Sequence, residues 1–226
     1  MTISPTNRPL LITDCDEVLL HMVVPFREWL DEVHDVHFSF EDQNFVNALR
    51  RKGCGTVLEQ GEVWDLLRDF FLTEMGRQGP IEGALEALSS LSDIADIVIL
   101  TNIGEELHQL RVDQLANVGV HHRVYWNQGG KGAPLRRIVE ERQPSVALFV
   151  DDLGAHHESV ANHAGDVWRL HMVGEPEIAV NIAPSPHAHA RIDSWKEAEA
   201  WIRARFAEGP APLAVGPVLG EEAAQP

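Results

Sequence analysis

One stretch of the sequence decides its fold: Pro9-Leu10-Leu11-Ile12-Thr13-Asp14-Cys15-Asp16. Its apolar half has the length and the near-continuous hydrophobicity that are typical of a strand buried on both faces of a parallel sheet. Four further runs share this character, at residues 94–100, 122–126, 146–150 and 167–172. Because stretches with helical spacing of apolar residues separate the later runs, the pattern predicts an α/β fold with a Rossmann-like, doubly wound parallel sheet.

This alternation is interrupted after the first run, because no clear strand follows it before residue 94. Three stretches in this interval have the apolar spacing of amphipathic helices, namely Pro25–Val36, Glu41–Lys52 and Glu62–Met75. A fourth, Ile81–Leu91, leads back to the sheet. We therefore predict a helical cap, residues 20–79, inserted after the first strand of a core domain that comprises residues 1–19 and 80–208. The remaining residues, 209–226, are rich in Pro, Ala and Gly and are predicted to be a disordered tail.

The composition is that of a folded protein with a strongly acidic surface. Of the 226 residues, 44% are hydrophobic and 23% are charged, and the formal net charge is −17. Nucleic acids and anionic membranes are therefore poor partners, because both are bound through clustered Lys and Arg. No apolar stretch approaches the roughly 20 residues of a membrane span, and two cysteines suggest no disulfide framework. We expect a cytoplasmic protein, and the sequence leaves its oligomeric state open.

Acidic residues follow two of the predicted strands. Asp14 and Asp16 come after the first strand, and Asp151 and Asp152 come after the fourth. In an open parallel sheet, ligands bind at the edge where the carboxyl ends of the strands meet. Carboxylates placed side by side repel one another, and a hard divalent cation such as Mg²⁺ relieves that repulsion. If the two strands are neighbours, the four aspartates predict a metal site. The alternative is a pair of turns with solvated or capping aspartates.

Other polar groups are expected at the same edge. Thr101 and Asn102 follow the second predicted strand, and the loop that ends at Lys131 can bring one ammonium group back to it. Three strand ends and one lysine would then offer a nucleophile, an acid, a hydroxyl group, a cation and metal ligands together. Each element alone is a weak signal, and the combination favours an enzyme active site.

These residues resemble the four ordered motifs of the haloacid dehalogenase-like (HAD) superfamily of phosphohydrolases. The matching elements are Asp14-Cys15-Asp16 after a strand, Thr101 after a strand, Lys131, and Asp151-Asp152 after a strand. The resemblance covers roughly residues 9–173, and an insertion after the first motif is similar to that of members with a helical cap.

The resemblance implies a role for each of these residues. Asp14 would attack phosphorus and form an aspartyl phosphate, and Asp16 would be the general acid and base. Thr101, the backbone N–H of Asn102 and Lys131 would bind the phosphoryl oxygens. Mg²⁺ is the implied cofactor, with Asp14, the main-chain carbonyl of Asp16, and Asp151 or Asp152 as its ligands.

The function that follows is a Mg²⁺-dependent phosphatase acting on a small phosphorylated metabolite. In the family, Asp16 accompanies phosphate-ester hydrolysis or phosphoryl transfer rather than cleavage of carbon–halogen bonds. A phosphotransferase such as a sugar-phosphate mutase is therefore one alternative. Glu17 departs from the glycine that is usual at its position, which keeps a catalytically silent binding protein as a second alternative. The Glu17 side chain could point outward, or it could lie near the phosphate site.

Three further groups of residues have more than one interpretation. Cys15 is expected to point into the core rather than to act as a nucleophile. His156 and His157 follow the acidic pair, where one of them could contact substrate, although solvated histidines are the commoner case. The aromatic residues of the insertion could line a substrate pocket, but their helical spacing favours packing inside the cap for most of them: Trp29, Trp64, Phe70 and Phe71.

Overall fold

The computed structural model describes residues 7–39 and 48–212, and these residues form eighteen short elements, six of which are the strands of one parallel sheet. The strands are β1 (Leu10–Thr13), β2 (Val36–Phe38), β3 (Leu49–Arg51), β4 (Asp96–Asn102), β5 (Arg123–Asn127), β6 (Ala147–Asp151), β7 (Trp168–His171) and β8 (Ala190–Arg191). The helices are α1 (Val23–Val33), α2 (Gln60–Thr73), α3 (Ala84–Ser92), α4 (His108–Asn117), α5 (Gly132–Arg142), α6 (Gly154–His163), α7 (Pro176–Ala179) and α8 (Trp195–Glu208). Short 3-10 turns occupy Met75–Arg77 and Glu105–Leu107.

The six-stranded sheet has the order β5-β4-β1-β6-β7-β8, and every neighbouring pair is parallel. The predicted α/β fold and its five apolar strands are therefore confirmed. The one strand of this sheet that the sequence did not predict is β8, which has only two residues, both half-buried. A strand of two residues at the edge of the sheet has no apolar run from which it could be predicted.

Apolar clusters cover both faces of the sheet. One face packs against α3 and α8, where Leu88, Leu91 and Trp195 are buried. The other face packs against α5 and α6 through Leu135, Ile138 and other buried side chains. With helices on both sides, the central strands lie away from water, which explains why β1 and β6 are apolar at nearly every position.

The insertion contains a two-stranded antiparallel hairpin in addition to helices. Helices α1 and α2 lie within or close to the predicted ranges, but β3 pairs with β2, so the prediction of a helix over Glu41–Lys52 is wrong at its described end. Residues 40–47 lie outside the described residues. In β2, His37 is exposed between the buried Val36 and Phe38, an alternation with period two that is typical of a strand.

An aromatic cluster holds this insertion together and continues into the loops of the sheet domain. The rings of Phe26 and Phe70 lie edge to face with centroids 5.3 Å apart, and Trp29 and Phe70 are 5.7 Å apart. The same apolar cluster includes four buried residues from the segments that follow β4 and β7, which are Ile103, Leu107, Val173 and Ile178. The insertion therefore lies directly over the carboxyl ends of the strands.

The chain crosses between sheet and insertion twice, and the two crossings are hydrogen-bonded to each other. Leu20 and Pro80 form an antiparallel bridge. The His21 N–H donates to the Gly79 carbonyl at 2.9 Å, and the Ile81 N–H donates to the Leu19 carbonyl at 2.9 Å.

The predicted tail begins with residues that are packed. The Trp168 Nε1–H donates to the Gly209 carbonyl at 2.8 Å, and the buried Ala211 donates its N–H to the Asp166 carbonyl at 3.0 Å. The described start of the predicted tail, residues 209–212, is therefore in contact with the sheet domain, and the disorder predicted for residues 213–226 falls outside the described residues. Over the described ranges, every helix is too short or too polar to traverse a bilayer.

Candidate active site

The sheet order brings three of the predicted strand ends together. Strand β1 lies between β4 and β6, with Thr13 in register with Ile99 on one side and with Val150 on the other. The Asp14 N–H continues this ladder by donating to the Val150 carbonyl at 2.9 Å. The residues that follow β1, β4 and β6 therefore face one space at the carboxyl edge, where open α/β sheets bind ligands.

Lys131 connects two of these strand ends. Its Nζ lies 2.7 Å from Asp14 Oδ1 and 2.7 Å from Asp151 Oδ2, and its side chain is fully buried. Burial alone would lower the pKa of Lys131, but the two carboxylates outweigh it and raise the pKa above the ordinary value. The lysine is therefore a fixed cation beside the predicted nucleophile.

Three carboxylates at this edge could hold one metal ion. Asp14, Asp151 and Asp152 each place an oxygen within 4.8 Å of the other two. Burial raises the pKa of Asp152 well above its ordinary range, and the charges of Asp151 and Asp14 raise it further. Burial likewise raises the pKa of Asp14. Such a group of oxygen ligands is costly without a cation, and it is the donor set that Mg²⁺ prefers.

The carboxylate of Asp16 is bound to an arginine and lies outside this group of three. Arg111 Nη2 lies 2.9 Å from both carboxylate oxygens of Asp16, and Gln78 Nε2 donates to Oδ1 at 2.6 Å. Burial raises the pKa of Asp16, and the guanidinium offsets part of that increase. The side chain of Asp16 is thus turned toward α4.

Arg111 is the main functional candidate that the sequence did not reveal. It is fully buried on α4, donates to Gln114 Oε1 at 3.0 Å and to Gln78 Oε1 at 3.3 Å, and lies 5.2 Å from the centroid of the Phe71 ring. The sequence did contain an indication that Arg111 is buried, because it lies four residues from both Leu107 and Leu115, on the apolar side of the predicted helix. An arginine in such a place requires a buried acid.

The last two residues of β4 have different roles in the structure. Thr101 Oγ1 is buried and has no hydrogen-bond partner among the described residues, so it is available to a ligand. The side chain of Asn102 instead fastens the loop that precedes Lys131. Its Nδ2 donates to the Gly129 carbonyl at 2.8 Å, and its Oδ1 accepts from Asn127 Nδ2 at 2.9 Å.

Glu17 points inward rather than outward, and only 2% of it is exposed. Its φ of 57° lies in the left-handed region, which explains why glycine is the easier residue there. Its Oε1 accepts the N–H groups of Met22 and Val23 at 2.8 and 2.6 Å, so it caps the amino end of α1. Burial raises its pKa to about 7, and Oε2 has no hydrogen-bond partner among the described residues.

Two histidines support the main chain of the acidic pair. His157 Nε2 donates to the Asp151 carbonyl at 3.0 Å, and His171 Nε2 donates to the Asp152 carbonyl at 2.7 Å. Burial lowers the pKa of His157 to about 3, so this imidazole is neutral. His156 lies beside Asn102, 3.3 Å from its Nδ2. Cys15 is buried in the core, and burial raises the pKa of its thiol, which does not suit a nucleophile.

The sheet, its acidic edge and the inserted segment define an α/β protein with a cap over the carboxyl ends of the strands. No protein-family model and no curated protein sequence matches the chain. Solved structures do match. The magnesium-bound HAD hydrolase YfnB of Bacillus subtilis is 15% identical with a TM-score of 0.61, and the match covers 87% of this chain and 99% of YfnB.

Two other matches carry different activities in their descriptions. A protein assigned as β-phosphoglucomutase from Thermotoga maritima is 10% identical with a TM-score of 0.57, over 87% of this chain and 99% of that one. A 2-haloacid dehalogenase from Pseudomonas syringae is 13% identical with a TM-score of 0.52, over 88% and 99%. The chain therefore has the HAD-like fold, as its four motifs predicted.

Proposed function

We propose that this chain is a Mg²⁺-dependent phosphatase that hydrolyses a small phosphate monoester through an aspartyl phosphate on Asp14. The observation that carries the proposal is the position of Lys131, which bridges Asp14 and Asp151 at 2.7 Å to each, beside Asp152. This arrangement joins a buried carboxylate nucleophile to a fixed cation and to a set of oxygen ligands. In a chain of net charge −17, Lys131 together with a bound Mg²⁺ would offset the charge of the three carboxylates and so allow an anionic substrate to approach.

The first chemical step would form a bond between a carboxylate oxygen of Asp14 and phosphorus, while the bond from phosphorus to the ester oxygen breaks. Asp16 would give a proton to the departing oxygen. A water would then attack the phosphoryl group, pass a proton to Asp16 and release inorganic phosphate, which restores Asp14. The buried hydroxyl of Thr101 and the ammonium group of Lys131 would hold phosphoryl oxygens throughout.

Mg²⁺ bound by Asp14, Asp151 and Asp152 would offset the repulsion between these carboxylates and the phosphoryl group. The protein itself holds these ligands in place, since His157 and His171 bind the main-chain carbonyls of Asp151 and Asp152.

The contact between Asp16 and Arg111 means that the Asp16 side chain would have to move before it could act as an acid. Both carboxylate oxygens of Asp16 are engaged by the guanidinium. For Asp16 to reach the departing oxygen, one of those two contacts must be exchanged when substrate binds.

The experiment is to measure Mg²⁺-dependent release of inorganic phosphate from a panel of phosphate esters with the purified protein. Asp14→Asn should lower the rate at least about a thousand-fold, because it removes the nucleophile, and chelation of the metal should abolish it. Asp93→Asn is the matched control, since Asp93 is exposed and precedes β4 at the opposite edge of the sheet. Activity that survives in Asp14→Asn would contradict the proposal.

A phosphotransferase is the second candidate, because a protein assigned as β-phosphoglucomutase shares the fold and the same residues could transfer the phosphoryl group to a second hydroxyl. Product analysis separates the two functions. An isomerised sugar phosphate without inorganic phosphate would establish transfer, whereas stoichiometric inorganic phosphate would establish hydrolysis.

A further inference from the structure

His156 is a buried residue of the candidate site to which the proposed mechanism gives no role. It lies in the first turn of α6, four residues after Asp152, and only 7% of it is exposed. Its Nδ1 is buried and has no hydrogen-bond partner within residues 7–39 and 48–212. A buried polar atom without a partner is costly, so an atom of this kind beside a functional site indicates a contact that a ligand completes.

The other ring nitrogen is engaged, and its partner decides which nitrogen carries the proton. His156 Nε2 lies 3.3 Å from Asn102 Nδ2. The orientation of that amide is fixed, because Nδ2 also donates to the Gly129 carbonyl at 2.8 Å, and a carbonyl oxygen can only accept. Since Nδ2 donates, His156 Nε2 accepts, and a neutral imidazole then has its single proton on Nδ1. Nδ1 is therefore an N–H donor that lacks an acceptor among the described residues.

The ring lies beside the loop that carries Lys131. Its contact with Asn102 reaches the start of this loop, because Asn102 binds the carbonyl two residues before the lysine. Ser159 lies three residues after His156, on the same side of α6, and its Oγ accepts the Gly132 N–H at 3.0 Å. One side of α6 thus contacts the chain on both sides of the lysine.

The charges of the candidate site act on this ring. Burial lowers the pKa of His156, and the charges of Asp151, Lys131 and Asp14 affect it as well. These three groups are the ones that meet at Lys131 Nζ, with 2.7 Å from the nitrogen to each carboxylate. His156 is therefore a neutral hydrogen-bonding group within electrostatic reach of the predicted nucleophile.

Thr101 supplies a second unpaired group at the same place. It directly precedes Asn102, it is buried, and its Oγ1 also has no partner in the described part of the chain. A phosphoryl group has several oxygens that need hydrogen-bond donors once they leave water. The hydroxyl of Thr101, the ammonium group of Lys131 and the Nδ1–H of His156 would together supply three.

We propose that His156 is a substrate-binding residue, whose Nδ1–H donates a hydrogen bond to an oxygen of the phosphoryl group. This assignment rests on the proposed phosphatase function, which supplies the position of the phosphoryl group at Asp14. It selects His156 rather than His157, whose Nε2 is occupied by the Asp151 carbonyl. The alternative is a purely structural role, in which His156 supports Asn102 through Nε2 and does not contact the substrate.

Two substitutions separate the two ring nitrogens. The side-chain amide of asparagine reaches the position of Nδ1, whereas that of glutamine reaches the position of Nε2. The probe is inorganic phosphate, and its affinity is measured by calorimetry in the presence of Mg²⁺. His156→Gln should weaken binding at least about ten-fold, as expected for the loss of a hydrogen bond to a charged group. His156→Asn should stay within about three-fold of wild type.

Stability should follow the opposite order. His156→Asn removes the acceptor of Asn102 and should have the lower Tm of the two variants, while His156→Gln keeps an acceptor there. A purely structural role would make affinity follow stability, so that His156→Asn would be both the less stable variant and the weaker binder. The matched controls are His163→Asn and His163→Gln, because His163 is exposed at the end of the same helix; both should bind phosphate as the wild type does.

The outcomes for His156 and for the phosphatase are separable. Equal phosphate affinities in His156→Asn and His156→Gln, an affinity order that follows stability, or a wild type that binds no phosphate would each overturn the assignment of His156. If the wild type hydrolyses esters and KM changes equally in the two variants, only the assignment of His156 fails. If no ester is hydrolysed and the two variants still differ in phosphate affinity as stated, the assignment holds and the phosphatase proposal fails.

Discussion

The pair formed by Arg111 and Asp16 allows a quantitative test of the structure. The side chain of Arg111 is fully buried and that of Asp16 is 15% exposed, and both carboxylate oxygens lie 2.9 Å from one guanidinium nitrogen. Removing one member of a buried pair leaves the other charge without a counter-charge, which costs about 3–5 kcal/mol of folding free energy. For a chain of this size, that loss corresponds to a fall in Tm of about 6–20 °C.

The perturbation is Arg111→Met, because methionine keeps an unbranched apolar stem in the space beside Phe71. Asp16→Asn and the double variant complete a double-mutant cycle. Asp16→Asn should cost less than Arg111→Met, about 1–3 kcal/mol, because the amide oxygen still accepts from Arg111. The loss in the double variant should be about 2 kcal/mol smaller than the sum of the two single losses, since each single variant already removes the ion pair.

The assay is urea unfolding of all four proteins at neutral pH with a chelator present. Arg136→Met is the control, because Arg136 forms an exposed pair with Glu140 and such pairs contribute only about 0–1 kcal/mol. The reasoning is refuted if Arg111→Met is as stable as Arg136→Met, or if the two single losses are simply additive.

Three further predictions concern the candidate site. Thr101→Val should leave the free energy of unfolding within about 0.5 kcal/mol of wild type, because the hydroxyl has no hydrogen-bond partner among the described residues, while kcat falls about 10²-fold; urea unfolding and steady-state kinetics test both parts. Glu17, with its pKa raised from 4.5 to about 7, binds a proton more tightly in the folded state, so its contribution to stability should be largest below pH 4.5 and should fall by at most roughly 3 kcal/mol as the pH rises through 7. Glu17→Gln should flatten that slope in unfolding experiments with a chelator, and an unchanged slope would contradict the assignment. Lys131→Met leaves Asp14 and Asp151 facing each other without their cation. Because burial already raises the pKa of Asp14, protonation of Asp14 should relieve the repulsion at low pH, so the Tm of the variant should lie well below that of wild type at pH 8 and closer to it at pH 5. A deficit that does not depend on pH would contradict this account.

The sheet was predictable because its strands are buried on both faces. A strand such as β6 has five buried residues in succession, and such runs stand out against the amphipathic helices between them. Strands β2 and β3 have three residues each and are stabilised by their contact with each other. The three residues Leu49–Arg51 have no local pattern that distinguishes a strand from the end of a helix, so the prediction of a helix there was wrong.

The candidate site was predictable where residues follow strands and was not where they lie on helices. Asp14, Lys131 and the acidic pair come together because the parallel sheet aligns its carboxyl ends. Arg111 reaches Asp16 from α4, across 95 residues of sequence, and only the packing of that helix brings the two together. The inward orientation of Glu17 likewise depends on where α1 begins. The residues around Glu17 do not predict that position.

The hydrogen-bonded ribbon at Leu19–His21 and Gly79–Ile81 has a consequence for how such a protein can change. Because the insertion leaves the sheet domain and returns to it at adjoining points, a segment of another length could replace it without stretching either connection or shifting β1. The replacement segment would have to cover four apolar residues and keep them from water, namely Ile103, Leu107, Val173 and Ile178. The cap and the acidic edge of the sheet are thereby separable parts of one polypeptide.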